Sequence, residues 1–422
     1  MGNPYRNSHD AGPGRRNRRA QLFSFRSILA TGDLHSVLEQ AGSFEKAGDR
    51  PLAETLRLMA AAQRRDHDRI DQILNSPAAD AIRADVVLDY ALILSLYWAA
   101  GASAACPEIK RRTAQGCDGL PADWAQDLSH LAAIIESLDE KPPQVDCDGT
   151  SEIRFVEGQS LLVIKASVND HPPEFFIVDT GAPTTVLSAE YATEVGLEFD
   201  KTNYKESRDG AGNKINLYPA LLEKLTLGNA AAFMYPVHVM DFSKRLAVKG
   251  IISPLETFRD LLIEIDLRRH VLKMCRPQSI DLTDYLRTTD WSQELLWNEG
   301  SPSIAVKINS SYDSFFLLDT GAGANILCTT LLERLGLNLN SQSQLQSATA
   351  AGQTNIYQGF KGQLAVGPSA EADTDFLAKE CFAEPNTLFP RMVDGYIGVP
   401  WFRGRRVVFA PGGRTVHFTN VA

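Results

Sequence analysis

The sequence predicts an α+β multidomain chain, with an N-terminal array of α-helical hairpins followed by an all-β, bilobal region. Three observations carry that prediction. The tetrapeptide Asp-Thr-Gly-Ala occurs twice, at 179–182 and 319–322, each time after an apolar run. With Asp179 laid over Asp319, residues 175–197 match 315–337 with nine of 23 positions identical. The match continues upstream, where Ser167-Val168-Asn169 lies over Lys307-Ile308-Asn309, and downstream, where Gly212 lies over Gly352 without a gap. Finally, the texture changes at Glu140-Lys141-Pro142-Pro143. Helical periodicity precedes this linker and short β-type runs follow it, because consecutive prolines stop a helix and favour extended backbone.

Residues 1–30 read as a disordered basic tail, with Arg6, Arg15, Arg16, Arg18 and Arg19 set among Gly, Asn and Pro. The functional alternative for such a run is a membrane-surface or nucleic-acid contact. From residue 31 to 140 the pattern is helical. Leu52, Leu56, Met59 and Gln63 mark one face, and Ile70, Ile73 and Leu74 continue in the next segment. The segment 86–100 is apolar at helical spacing, carries Asp89, and is shorter than the roughly 20 residues that a membrane span needs. It reads as a buried core helix. Breaks at Gly48-Asp49-Arg50-Pro51, Ser76-Pro77, Gly101 and Gly119-Leu120-Pro121 divide this region into stacked helix pairs. The arrangement is loosely similar to tetratricopeptide-type (TPR-like) arrays. The first β lobe is expected over 151–276 and the second over 295–422, ending in a hairpin through Arg406-Val407-Val408-Phe409, Pro411-Gly412-Gly413 and Thr415-Val416-His417-Phe418.

The net charge of −10 and 44% hydrophobic content suit a soluble globular chain and argue against nucleic acid as the main partner. No transmembrane segment and no clear signal peptide are visible, which reads as cytoplasmic, or periplasmic if translation starts upstream. Six cysteines form no CxxC pair, so no metal site and no cofactor are expected. Cys106 and Cys117 either close a short loop or stay separate thiols, and Cys328 reads as a buried small hydrophobe. No HExxH pair, Gly-x-Ser-x-Gly elbow, P-loop or dinucleotide fingerprint is present.

A buried strand that ends in Asp-Thr-Gly holds a carboxylate on a tight turn, and two such turns in one chain can face each other. Two close carboxylates do not both ionise readily, so the pair holds one proton over a range of pH. One member is then a base for water and the other an acid for a carbonyl. Gly181 and Gly321 let the backbone approach the carboxylates, and Thr180 and Thr320 are placed to lock the two turns together.

These residues resemble the bacterial-type members of the retropepsin-type aspartic peptidases, in the pepsin-like superfamily, with both lobes fused in one chain rather than formed by a homodimer. The resemblance covers about 151–422. It rests on the two turns and on the hydrophobic-hydrophobic-Gly segment Tyr396-Ile397-Gly398 of the second lobe, followed by Val399-Pro400-Trp401-Phe402. The first lobe has Gly250-Ile251-Ile252-Ser253, so a serine stands where the pattern expects glycine, and strain behind the first turn is expected there. The resemblance implies an acid-protease (double retropepsin-like) fold and an aspartic endopeptidase with Asp179 and Asp319 as its dyad. It further implies a polypeptide substrate bound as an extended strand under two flaps, with tips at Gly210 and Gly212 and at Ala351 and Gly352. Dimerisation would not be required for the site, and the helical domain would offer a surface for a protein partner. The competing reading is a weak or inactive peptide-binding scaffold that works through the helical domain.

Overall fold

The structure, a computed structural model, describes residues 13–30, 32–136, 138, 142–210, 212–242, 247–310, 312–336, 344–348, 354–368, 372–381, 388–389 and 394–420. The chain divides into two compact units, one of residues 1–132 with 385–390, the other of 133–384 with 391–422.

In the first unit the helices are α1 (Pro13–Ala30), α2 (Leu34–Lys46), α3 (Arg50–Gln63), α4 (His67–Leu74), α5 (Pro77–Ala84), α6 (Val86–Ala100), α7 (Ala102–Gln115) and most of α8 (Ala122–Glu136), whose last turn belongs to the second unit. Short acidic or hydroxyl side chains start five of them. Asp33, Asp49, Asp66, Ser76 and Asp85 each accept a backbone N–H of the first turn, which satisfies donors the helix itself leaves open. Helix α6 is buried on nearly every face, Asp89 included. The expectation of a disordered tail to residue 30 is corrected from Pro13 onward, because α1 is an ordered helix with Leu22, Phe25 and Leu29 fully or almost fully buried. Two of its arginines, Arg18 and Arg19, are held by acids remote in sequence. Arg18 Nη2 donates to Asp49 Oδ1 at 2.9 Å and its Nε lies 3.5 Å from Asp85, while Arg19 pairs with Asp123 at 3.0 Å. Residues 1–12 lie outside the described residues. Cys106 and Cys117 are free thiols.

The second unit contains two eight-stranded sheets of matching topology and a six-stranded sheet that draws strands from both lobes. In the first lobe the short strand Gly250–Ile252 runs parallel to Glu174–Val178 and antiparallel to Val186–Ser188. The second lobe repeats this with Gly395–Ile397 between Tyr312–Leu318 and Asn325–Cys328. The hairpin leading into each Asp-bearing strand turns through two residues at positive φ, Asn169-Asp170 and Asn309-Ser310, the backbone that two-residue hairpins favour. The two asparagines make identical contacts. Asn169 N–H donates to Lys224 O and its Oδ1 accepts Lys224 N–H; Asn309 does the same with Gln363. One apolar core, with Phe176, Val178, Phe258, Phe316, Leu318 and Phe402, runs through both lobes.

The six-stranded sheet is covered on its outer face by the helix Leu282–Arg287, which packs Leu282, Tyr285 and Leu286 on Leu262, Cys275 and Val408. Under that helix lies a closed polar network. Arg406 Nε donates to Glu264 Oε2 at 2.7 Å, the Tyr285 hydroxyl donates to the same oxygen, and Lys273 Nζ meets Tyr285 at 3.0 Å. Glu264 is 2% exposed, so removing it leaves a guanidinium in a place built for a pair. Glu264→Ala is expected to cost about 3–5 kcal/mol, read as a fall in thermal midpoint, whereas Arg287→Ala on the exposed side of the same helix is expected to change it little.

The structure adds a disulfide, Cys328–Cys381, that joins the end of one strand to a residue two positions beyond its parallel neighbour Ala372–Lys379. This corrects the reading of Cys328 as a plain buried hydrophobe. Among the described residues no helix is long and apolar enough to cross a membrane, and no group of three His, Cys, Asp or Glu side chains is placed to hold a metal ion.

Candidate active site

The two Asp-Thr-Gly turns meet at the junction of the lobes. Asp179 continues the strand Glu174–Val178 and donates its N–H to Ile252 O at 2.9 Å; Asp319 continues Tyr312–Leu318 and donates to Ile397 O at 3.0 Å. Each carboxylate is then oriented by its own turn. Asp179 Oδ1 accepts Gly181 N–H at 2.8 Å and Ala182 N–H at 3.0 Å, and Asp319 Oδ1 accepts Gly321 N–H at 2.9 Å. Thr180 and Thr320, both fully buried, exchange hydrogen bonds across the junction. Each threonine N–H donates to the other's Oγ1, at 3.0 and 3.1 Å, and each hydroxyl donates to a carbonyl of the opposite strand, Leu318 O at 2.7 Å and Val178 O at 2.8 Å.

The glycines explain how close the carboxylates come. A Cβ at Gly181 would stand 2.7 Å from Asp319 Cγ, and one at Gly321 would stand 2.3 Å from Asp179 Oδ2. Each carboxylate therefore rests against the glycine of the other turn, where no other residue fits. This proximity sets the electrostatics. The Asp319 carboxyl is pushed well above the usual carboxylate range, first by burial, then by the charge of Asp179 and a hydrogen bond to it. The Gly321 N–H and, more weakly, the Lys379 charge act in the opposite sense. Asp179, with two backbone donors on one oxygen against one for Asp319, is the better placed of the two to carry the negative charge.

The expected strain at Ser253 is corrected. In the second lobe Gly398 lies against the turn so tightly that a Cβ would stand 2.2 Å from Ala324 O and 2.6 Å from Ala322 O, and the next residue, Val399, donates its N–H to Ala322 O at 2.9 Å. In the first lobe the next residue is Pro254, which has no N–H. Ser253 supplies the missing donor: its hydroxyl reaches Ala182 O at 2.6 Å, and its N–H donates to Thr185 Oγ1 as Gly398 N–H donates to Asn325 Oδ1. Ser-Pro and Gly-Val are two solutions to one hydrogen-bonding requirement behind each turn. Ser253→Ala is accordingly expected to cost about 1–3 kcal/mol in chemical denaturation, since it withdraws the hydroxyl donor from a buried carbonyl.

The expected first flap is the hairpin Lys205–Arg208 with Lys214–Leu227. Asp209 closes it by accepting Asn213 N–H at 2.9 Å, with Gly212 at φ +85° and Gly210 exposed. The corresponding strands of the second lobe, Gln344–Ala348 and Thr354–Val366, pair in the same way. Ala351 and Gly352 lie outside the described residues. Sequence reasoning missed Ser301, whose hydroxyl holds Gly181 O at 2.8 Å, and Lys379, which no motif marks.

Residues 164–263 match the family model described as aspartyl protease, and residues 304–384 match the one described as gag-polyprotein putative aspartyl protease. Each match falls on one lobe and covers one Asp-Thr-Gly turn. The β-rich region is therefore a two-lobed aspartic-peptidase domain of the retropepsin-like type. Among solved structures, the chain is similar to conglutin gamma, a basic 7S globulin from lupine seeds, at 10% identity over 66% of this chain and 95% of that one, with a TM-score of 0.38. No curated protein matches the chain.

Proposed function

We propose that this protein is an aspartic endopeptidase whose water is activated by the Asp179–Asp319 pair of a single chain. The observation that carries the reading is the mutual contact of the two carboxylates with the raised Asp319 carboxyl. In the free enzyme Asp319 holds the shared proton and Asp179 is ionised. Asp179 takes a proton from water as the water oxygen attacks the peptide carbonyl carbon, and Asp319 gives its proton to the carbonyl oxygen. On collapse, Asp319 takes a proton back from the gem-diol and Asp179 passes its proton to the leaving nitrogen. Both carboxylates return to their starting states, and no covalent intermediate is needed.

The peptide would lie extended across the turns, paired with flap strands by β-addition. Because both carboxylates come from one chain, dimerisation is not needed to complete the site. The helical unit is proposed to serve partner binding or substrate presentation. The scaffold reading rested on Ser253, which the hydrogen bond to Ala182 O accounts for without loss of the turn. The test is cleavage of casein and of a peptide library between pH 4 and 7, with and without pepstatin. Pepstatin-sensitive cleavage is expected; its absence across the library would reject the proposal.

A further inference from the structure

The two turns share a sequence but use the peptide after the glycine differently. In the first, the Ala182 N–H donates to Asp179 Oδ1 at 3.0 Å, beside the Gly181 N–H at 2.8 Å. In the second, the equivalent Ala322 N–H donates to the backbone carbonyl of Asp319 at 3.2 Å, and Asp319 Oδ1 keeps the Gly321 N–H.

The difference coincides with a residue from the opposite lobe. Ser301 begins the strand Ser301–Ile308, which lies beside the strand leading to Asp319 through pairs such as Ser303 with Leu317. It is fully buried, and its hydroxyl crosses to the first turn and donates to Gly181 O at 2.8 Å. The repeat puts Leu161 at the corresponding position of the first lobe, since Val163 pairs with Ile177 as Ser303 pairs with Leu317. Leu161 also reaches the opposite turn, where its Cδ2 lies 3.7 Å from the place a Cβ on Gly323 would take. It has no donor to give. The turn that receives a hydroxyl aims a second N–H at its carboxylate, and the turn that meets an aliphatic side chain does not.

We infer that Ser301 is a positioning residue that makes Asp179 the base of the pair, by fixing and polarising the Gly181–Ala182 peptide whose N–H binds Asp179 Oδ1. The inference rests on the proposed peptidase site and names what breaks its symmetry. An amide whose carbonyl accepts a hydrogen bond is a better donor through its N–H, so the Ser301 hydroxyl acts on Asp179 through one peptide plane. A carboxylate that gains a donor is favoured in its charged form. The Asp319 carboxyl, without this relay, is the one held above the usual carboxylate range. Among the described residues, the other titratable or charged groups around the pair are Lys379, whose charge acts weakly on Asp319, and His238, held at Thr184 Oγ1 beyond the first turn. Neither is changed by a substitution at Ser301.

The same turn contains a control. Ser253 donates to the next carbonyl, Ala182 O, at 2.6 Å, but that peptide ends in Pro183 and has no N–H to pass the effect on. The test is the pH profile of kcat/KM on one peptide for the native enzyme, Ser301→Ala, Ser301→Thr and Ser253→Ala. With the relay lost, Asp179 ionises at higher pH, so the acid limb of Ser301→Ala should move upward. Its kcat/KM should fall about two- to tenfold on the acid side and approach the native value near the optimum. Ser301→Thr keeps the hydroxyl and should hold the native midpoint, and Ser253→Ala should lose stability with its midpoint in place. A loss of folded enzyme scales a whole profile and leaves its midpoint unmoved. The carboxyl resonances of protein labelled with 13C at aspartate Cγ, assigned by their loss in Asp179→Asn, give the same midpoint without turnover. An upward shift there in Ser301→Ala, with no peptide cleaved by any form, would reject the peptidase proposal and leave this one standing. An acid limb or a carboxyl titration that stays in place in Ser301→Ala, or that moves equally in Ser253→Ala or Ser301→Thr, would overturn the inference.

Discussion

Asp319→Asn is expected to lower peptide hydrolysis about 100- to 10,000-fold while leaving the protein folded. Asparagine keeps an oxygen for Gly321 N–H but cannot carry the shared proton as an acid. Asp179→Asn should be equally damaging, because it removes the base. The two changes separate activity from stability in a direction that the electrostatics fix. The Asp319 carboxyl is raised in the folded state, chiefly by burial and by Asp179. Its contribution to stability is full below the ordinary carboxyl range and is lost as pH rises through the raised folded value. The neutral asparagine has no such dependence. The thermal midpoint of Asp319→Asn should therefore move above that of the native protein as pH is raised, and the gap should widen in the window where the native enzyme loses activity. A variant that melts lower at every pH would mean that Asp319 serves the fold rather than the chemistry.

Gly398→Ser should be the most damaging of the small substitutions, although it only copies the residue found at the equivalent place in the first lobe. The new Cβ would stand 2.2 Å from Ala324 O and 2.6 Å from Ala322 O, both backbone atoms behind the second turn. Neither can yield without moving the turn that carries Asp319. A cost of about 3 kcal/mol is expected, together with loss of activity. The reciprocal change, Ser253→Gly in the first lobe, loses one hydrogen bond and creates no clash, so it should cost about 1 kcal/mol. Thermal melts of the two variants side by side give the comparison, and equal costs would show that the turns are not braced in the two ways described. The asymmetry follows from the neighbour: Val399 brings its own N–H to the turn, and Pro254 leaves that task to Ser253.

The repeat made much of the β region readable. Identical apolar positions around two Asp-Thr-Gly turns imply two lobes with matching strands, because period-two burial and turn chemistry are local properties of the chain. The pairing of Asp179 with Asp319 follows from that symmetry. Contacts between remote segments were not readable. The start of α1, with four arginines in its first seven residues, has the composition of a solvated tail, and its order depends on acids at Asp49, Asp85 and Asp123 that spacing does not connect to it. Cys328 and Cys381 stand 53 residues apart, and only the parallel pairing of their strands brings them together. The meaning of Ser253 depended on Pro254 and on which carbonyl faces the loop, so the sequence pattern alone suggested strain where the fold places a hydrogen bond. Lys379 was silent for the same reason, since its face of the sheet is defined by core packing rather than by a motif.

The central claim is that one chain builds one dyad from its own two turns. It is tested most directly by mixing the purified Asp179→Asn and Asp319→Asn proteins, each inactive alone, and assaying the mixture on the peptide that the native enzyme cleaves best. If the turns pair within a chain, locked by Thr180 and Thr320, every molecule in the mixture holds one damaged carboxylate and no turnover appears. If turnover returns on mixing, intact turns from different molecules have met, and the intramolecular dyad is wrong.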